Sequence, residues 1–202
     1  METLKHGKYY HIYNRGNNRE DLFRSPDNYQ HFLRLYEKYI SPVAETYAWV
    51  LMKNHFHLLV RVKDINELDL PGFQNLAGLE NLGGLGNPSK QFSNLFNAYT
   101  KAFNKKYHRT GSLFEKPFHR IPITSDRYFR QLVVYIHTNP ILHGFTDDFK
   151  DYPWSSYGTA LSVKPTKLNR DMVVGWFDDT ANFVKEHTLK TDFRLIKNLI
   201  IE

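Results

Sequence analysis

Residues 55–62, His-Phe-His-Leu-Leu-Val-Arg-Val, constrain the fold of this chain more than any other stretch. Side chains in an extended strand point alternately to opposite faces. Phe56, Leu58, Val60 and Val62 therefore share one face, and His55, His57, Leu59 and Arg61 share the other. The first face belongs in a core. The second presents two imidazoles side by side, within reach of one metal ion. With ten histidines in 202 residues, a His-x-His pair also arises by chance. The tripeptide alone is equally the pattern of two polar residues on a sheet face.

The surrounding elements narrow the architecture. Tyr9 to Asn14 alternates and is rich in β-formers, and Arg15-Gly16-Asn17-Asn18 follows with turn chemistry. Ser25-Pro26-Asp27 opens a helix: a capping serine, a proline at the first helical position and an acid in the first turn. Ser41-Pro42 closes it. Thr46 to Val62 holds two strand-like runs broken near Lys53-Asn54. Gln91 to Tyr107 carries apolar residues at helical spacing. Ser112 to Ile123 predicts a strand, with Lys116-Pro117 marking a bulge or edge. Ser125-Asp126 starts a helix expected to reach about Thr138 and to stop at Asn139-Pro140. Residues 64–89 hold five of the eleven glycines and leucines at every third position, and they predict a loosely ordered insertion or a partner-binding stripe. Helices returning between antiparallel strands point to an α+β fold. The expected form is a ferredoxin-like or RRM-like antiparallel sheet with helices packed on one face, plus a C-terminal helical tail. Residues 1–150 form the expected domain, and 151–202 an aromatic loop and the tail.

Composition excludes several chemistries. The chain has no cysteine, so disulfides, thiolate catalysis and Cys-containing metal sites are ruled out. No apolar run reaches membrane-spanning length, and a soluble cytoplasmic protein is expected. The net charge of +6 is not spread evenly. Lys90 to Arg130 holds nine basic and two acidic residues, an excess of seven, while the remainder carries −1. Aromatic residues interleave with those bases. This combination suits backbone neutralisation and base stacking in a nucleic acid, and it also suits a solvated basic face over a core.

In the helix from Asp126, Phe129, Leu132, Val133 and Ile136 form the apolar stripe. Tyr128 and Tyr135 lie to one side of it, and Asn139 lies between the stripe and the tyrosines. Tyr135 and Asn139 are four residues apart, hence neighbours on one flank. A phenol and an amide can then face a common site. An interfacial tyrosine beside a capping asparagine has the same pattern.

Five motifs carry a resemblance. Tyr10-His11-Ile12-Tyr13-Asn14-Arg15-Gly16-Asn17, Met52 to Val60, Gly111-Ser112-Leu113-Phe114-Glu115, Tyr135-Ile136-His137-Thr138-Asn139-Pro140 and Trp154-Ser155-Ser156-Tyr157 occur in order. Together they resemble the REP-associated tyrosine transposases, single-tyrosine enzymes of the HUH endonuclease superfamily, from about residue 8 to 158. The resemblance implies cleavage and rejoining of single-stranded DNA beside a hairpin through a 5′-phosphotyrosine. It implies Tyr135 as nucleophile and His55, His57 and Asn139 as ligands of Mn²⁺ or Mg²⁺. It also implies a prokaryotic, nucleoid-associated protein acting as a monomer or homodimer. Arg15, Lys101, Lys105, Lys106, Arg109, Lys116 and Arg120 are the candidate phosphate-contacting residues. The sequence departs from the family pattern at Lys53, where proline is common, and at Ile141-Leu142-His143-Gly144, where a base is expected. The competing expectation is a non-catalytic module of RRM-like fold that binds hairpin DNA or RNA. His-x-His on the inner strand, where such modules carry paired aromatics, counts against that form.

Overall fold

The structure, a computed structural model, describes residues 3–68 and 87–189. Most of the expected 64–89 insertion lies outside the described residues. Four strands, β1 (Tyr9–Arg15), β2 (Ala44–Met52), β3 (His55–Val62) and β4 (His119–Ile123), form one antiparallel sheet in the order β2-β3-β1-β4. This is the α+β, ferredoxin-like architecture expected from the element order. Helices α1 (Pro26–Tyr39) and α2 (Pro88–Lys106) pack on one face. Tyr10, Ile12, Phe56, Leu58, Val60 and Val62 meet Phe32, Phe92, Phe96 and Tyr99 there.

The opposite face carries Val50, Met52 and Leu59 and is covered by α3 (Asp126–Leu142). The short helices α4 (Tyr157–Leu161), α5 (Arg170–Gly175) and α6 (Thr180–Thr188) extend that second layer. Tyr157, Leu168, Val173, Phe177 and Phe183 of these segments are buried in the core of that layer. Trp154 to Ser156 also closes the outer edge of β2: Leu51 N–H donates to the Trp154 carbonyl and Ser156 N–H to the Trp49 carbonyl. Covering an exposed edge removes a template for strand addition. Among the described residues no helix is long and apolar enough to cross a membrane.

Two boundaries differ from the sequence reading, each for a physical reason. Of the strand predicted over Ser112–Ile123, only His119–Ile123 joins the ladder, with Phe114 making one isolated bridge to Gly16. Pro117 has no N–H to give a ladder, whereas Pro122 is tolerated because β4 is an edge strand. The α3 helix does not stop at Asn139-Pro140 but runs through Pro140 to Leu142. A proline this late removes only one helical bond. The last carbonyls are taken instead by the N–H groups of His143, Gly144 and Phe145. Asn139 therefore stays inside the helix, one turn beyond Tyr135.

A buried polar chain ties α3 to the C-terminal layer. His187 Nδ1 lies 2.7 Å from the Phe183 carbonyl, His137 Nδ1 2.8 Å from His187 Nε2, and Ser156 Oγ 2.8 Å from His137 Nε2. A carbonyl can only accept, so His187 carries its proton on Nδ1. His137 Nδ1–H then donates to His187, and the Ser156 hydroxyl donates to His137. Trp49 N–H completes the chain by donating to Ser156 Oγ at 2.9 Å. Ser156→Ala would leave two buried groups unpaired and should cost about 1–3 kcal/mol of stability. Urea denaturation would register this as a lower midpoint with an unchanged slope.

Candidate active site at the His-x-His strand

β3 places His55 and His57 on the face beneath α3, and both are buried. Their rings lie 5.4 Å apart and nearly perpendicular. Each Nδ1 is held. His55 Nδ1 sits 2.7 Å from Asn54 Oδ1, and His57 Nδ1 sits 2.9 Å from His11 Nε2. An amide oxygen only accepts, so His55 bears its proton on Nδ1 and turns a bare Nε2 into the site. The Nε2 atoms of His55 and His57 and both amide atoms of Asn139 are buried without hydrogen-bond partners.

Tyr135 and Asn139 come down from α3 onto these histidines. The Tyr135 ring lies 5.3 Å from that of His57, edge to face, and 6.4 Å from that of His11. Tyr135 is 0% exposed. Burial pushes its phenol up to about 12, and the adjoining Asn139 amide opposes that shift. Asn139 also adjoins His55, where it favours the charged imidazole. The four residues named from sequence are thus brought together: two imidazoles, an amide and a phenol around the unpartnered Nε2 atoms of His55 and His57. Tyr128, the other tyrosine of the helix, lies two turns earlier, about 10 Å along the axis.

Burial drives the pKa of these histidines down, to about 3 for His11 and His55 and well below 6.5 for His57. Neutral imidazoles with held Nδ1 atoms are what a metal ligand requires. Among the described residues no group of three or more His, Cys, Asp or Glu is placed to hold an ion. A metal here would rest on two imidazoles and the Asn139 amide, and the unpaired atoms fit that donor set. Nitrogen ligands favour Mn²⁺ over Mg²⁺.

The same burial has a consequence for stability. His11, His55, His57, His137 and His187 all titrate below their ordinary value of 6.5, with His187 near 4. Above pH 6.5 both folded and unfolded chains hold them neutral. As pH falls below 6.5 the unfolded chain binds protons first, so stability should drop progressively toward pH 4. Thermal melts of chelator-treated protein across that range would show a falling Tm.

Two residues at the site were missed. His11 completes a row of three imidazoles with His57 and His55. Alternation within β1 puts it on one strand face, but only the β1–β3 register brings it beside His57. His143 caps α3 with its ring 4.6 Å from that of His55. Its signal was present in the spacing, since Tyr135, Asn139 and His143 recur every fourth residue on one helical flank. It lies within the Ile141–Gly144 departure noted above, one residue after Leu142, where the resemblance expects a base. The other departure, Lys53, is exposed and ion-paired with Asp21 at 3.0 Å. What the turn uses is the Lys53 carbonyl, which accepts from Leu22 N–H and Phe23 N–H.

The candidate phosphate-contacting residues divide. Arg15, the register partner of His55, lies 3.4 Å from Glu115, and its charge acts on both His55 and His143. Lys101, Lys116 and Arg120 line one cleft between α2 and the chain leading into β4. Lys105 is exposed on α2. Lys106 pairs with Asp27 at 3.2 Å. Arg109 is engaged by Glu20, Asn104 and the Ser112 carbonyl, where it holds its turn.

No protein-family model matches this sequence, and no curated protein matches it. By structure, the chain is similar to a REP-associated tyrosine transposase bound to a REP hairpin, with a TM-score of 0.58 and 16% identity. The match covers 82% of this chain and 87% of that one. At that identity the likeness is one of fold, and it names the same family whose motifs the sequence resembles.

Proposed function

We propose that this chain is a REP-associated tyrosine transposase: a metal-dependent enzyme that cleaves and rejoins single-stranded DNA beside hairpins through Tyr135. One observation carries the reading. The Tyr135 phenol and Asn139 amide sit over two imidazoles whose free nitrogens have no protein partner. His55, His57 and Asn139 would hold Mn²⁺ or Mg²⁺. Bound there, such an ion would supply charge neutralisation at the phosphate. Asn54 and His11 orient the two imidazoles. Asn139 positions the phenol. Tyr135 Oη forms a bond to phosphorus as the bond to the 3′-oxygen breaks, the phenol proton is lost and the departing oxygen gains one. The products are a 5′-phosphotyrosine and a free 3′-OH, and reversal on a second 3′-OH rejoins DNA without ATP.

A second reading, a hairpin-binding protein that does not cut, is favoured by the complete burial of Tyr135. Attack on DNA requires the phenol to become accessible as the strand enters. One experiment separates the two: incubate the protein with end-labelled hairpin DNA and Mn²⁺ and resolve the mixture on a denaturing gel. The enzyme yields a protein–DNA band that chelator prevents. A binder yields a shift on native gels only.

A further inference from the structure

The buried polar chain through His137 connects the C-terminal layer to the chemistry proposed for Tyr135. On α3, His137 lies two residues after Tyr135, about 200° around the helix, so the two side chains leave opposite flanks. Tyr135 meets the rings of His57 and His11. His137 meets those of Tyr157, Phe183 and His187. His137 and Ser156 are 0% exposed and His187 is 3% exposed, so none of the three is placed to touch DNA.

The chain closes a frame between α3 and the strand row that carries the histidines. Ser156 is clamped to β2 at Trp49: its N–H donates to the Trp49 carbonyl and its Oγ accepts from Trp49 N–H, both at 2.9 Å. The next residue of β2, Val50, is the register partner of His57. From this anchor Ser156 donates to His137 Nε2 and His137 Nδ1–H donates to His187, each at 2.8 Å. His187 is held in turn by the Phe183 carbonyl. Phe129, Leu132, Val133 and Ile136 supply apolar packing for α3. Apolar burial is non-directional, whereas a hydrogen bond weakens steeply when misaligned. The phenol oxygen stands several ångströms beyond a helix radius of about 2.3 Å, so a turn of about 10° about the axis carries it through roughly 1.5 Å.

From this frame, and resting on the proposed strand-transfer function, we infer that His137 is a positioning residue for Tyr135 and Asn139. The Ser156–His137–His187 chain fixes the rotation of α3, and with it the phenol and the amide over His57 and His55. A reacting atom misplaced by about 1 Å loses on the order of 100-fold in rate, even when the altered residue is far from the chemistry. Breaking the chain should therefore slow bond formation and spare hairpin affinity. The C-terminal layer serves the cutting step in this way without contacting the DNA.

The test uses the full chain and two variants that cut the chain at opposite ends, Ser156→Ala and His187→Leu. Val173→Ala is the control: it opens the core of the same layer at a 0% exposed residue outside the polar chain. All are studied well below their thermal midpoints. The single-turnover rate of adduct formation is measured with hairpin DNA and Mn²⁺ at saturation. Both chain variants should be slower by roughly 10- to 100-fold, with hairpin affinity in chelator unchanged. Val173→Ala should react at the rate of the unaltered protein. A second readout needs no activity: in chelator, the nuclear Overhauser contact between the Tyr135 and His57 rings should weaken in both chain variants and persist in Val173→Ala. Rates and ring contact unchanged in both chain variants overturn the positioning role. An equal fall in Val173→Ala also overturns it, since the effect would then be one of general stability. An unaltered protein that forms no adduct overturns the strand-transfer reading and this role with it, a result seen before any variant is made.

Discussion

Tyr135→Phe should eliminate covalent capture of hairpin DNA and reduce strand cleavage on the order of 10⁴-fold or more, because the bond-forming oxygen is gone. Its side effects should be small. Phenylalanine keeps the ring that packs against His57 and His11 and deletes only the hydroxyl beside Asn139. The loss of one such contact is worth about 1 kcal/mol of stability. Hairpin affinity in chelator should therefore match that of the unaltered protein. Quantitative cleavage gels paired with fluorescence anisotropy would check both halves. Residual cleavage with an intact adduct would move the nucleophile to Tyr128.

The second large effect is expected at His57. His57→Ala removes one of three candidate metal donors and leaves His11 Nε2 without its 2.9 Å partner. Mn²⁺ affinity, read by titration calorimetry, should fall roughly 100-fold or more, and cleavage should fall with it. Hairpin binding in chelator should persist, since no candidate phosphate contact involves His57. Stability should drop as well, because a fully buried ring is lost. His55→Ala at the metal should behave alike, whereas an unaltered Mn²⁺ isotherm in both variants would remove the metal from the account.

Much of this architecture was legible in the sequence because it is written in local periodicity. The two-faced pattern of residues 55–62 put the histidines on the face opposite Phe56, Leu58, Val60 and Val62, and the structure has them there, but buries that face as a second core beneath α3. Pro26 behind Ser25 set the start of α1. The Tyr135–Asn139 spacing placed phenol and amide on one flank. What was not legible depends on register and on packing between distant segments. His11 is an unremarkable strand residue until β1 pairs with β3. The His137–Ser156–His187 chain joins three segments that share no local pattern. Pro140 read as a stop, because propensity weighs a proline heavily, but tertiary contacts along α3 outweigh one missing bond. The basic stretch of 90–130 read as one surface. The structure splits it into a cleft lined by Lys101, Lys116 and Arg120 and residues, such as Arg109, spent on internal ion pairs.

The proposed function turns on a covalent bond between Tyr135 and a 5′-phosphate. Its most direct test is mass spectrometry of the protein trapped on hairpin DNA in Mn²⁺ and digested with protease and nuclease. The proposed chemistry predicts a nucleotide-modified peptide whose fragmentation places the phosphate on Tyr135. A phosphate on any other residue, or the absence of any modified peptide from protein that binds the hairpin, would contradict it.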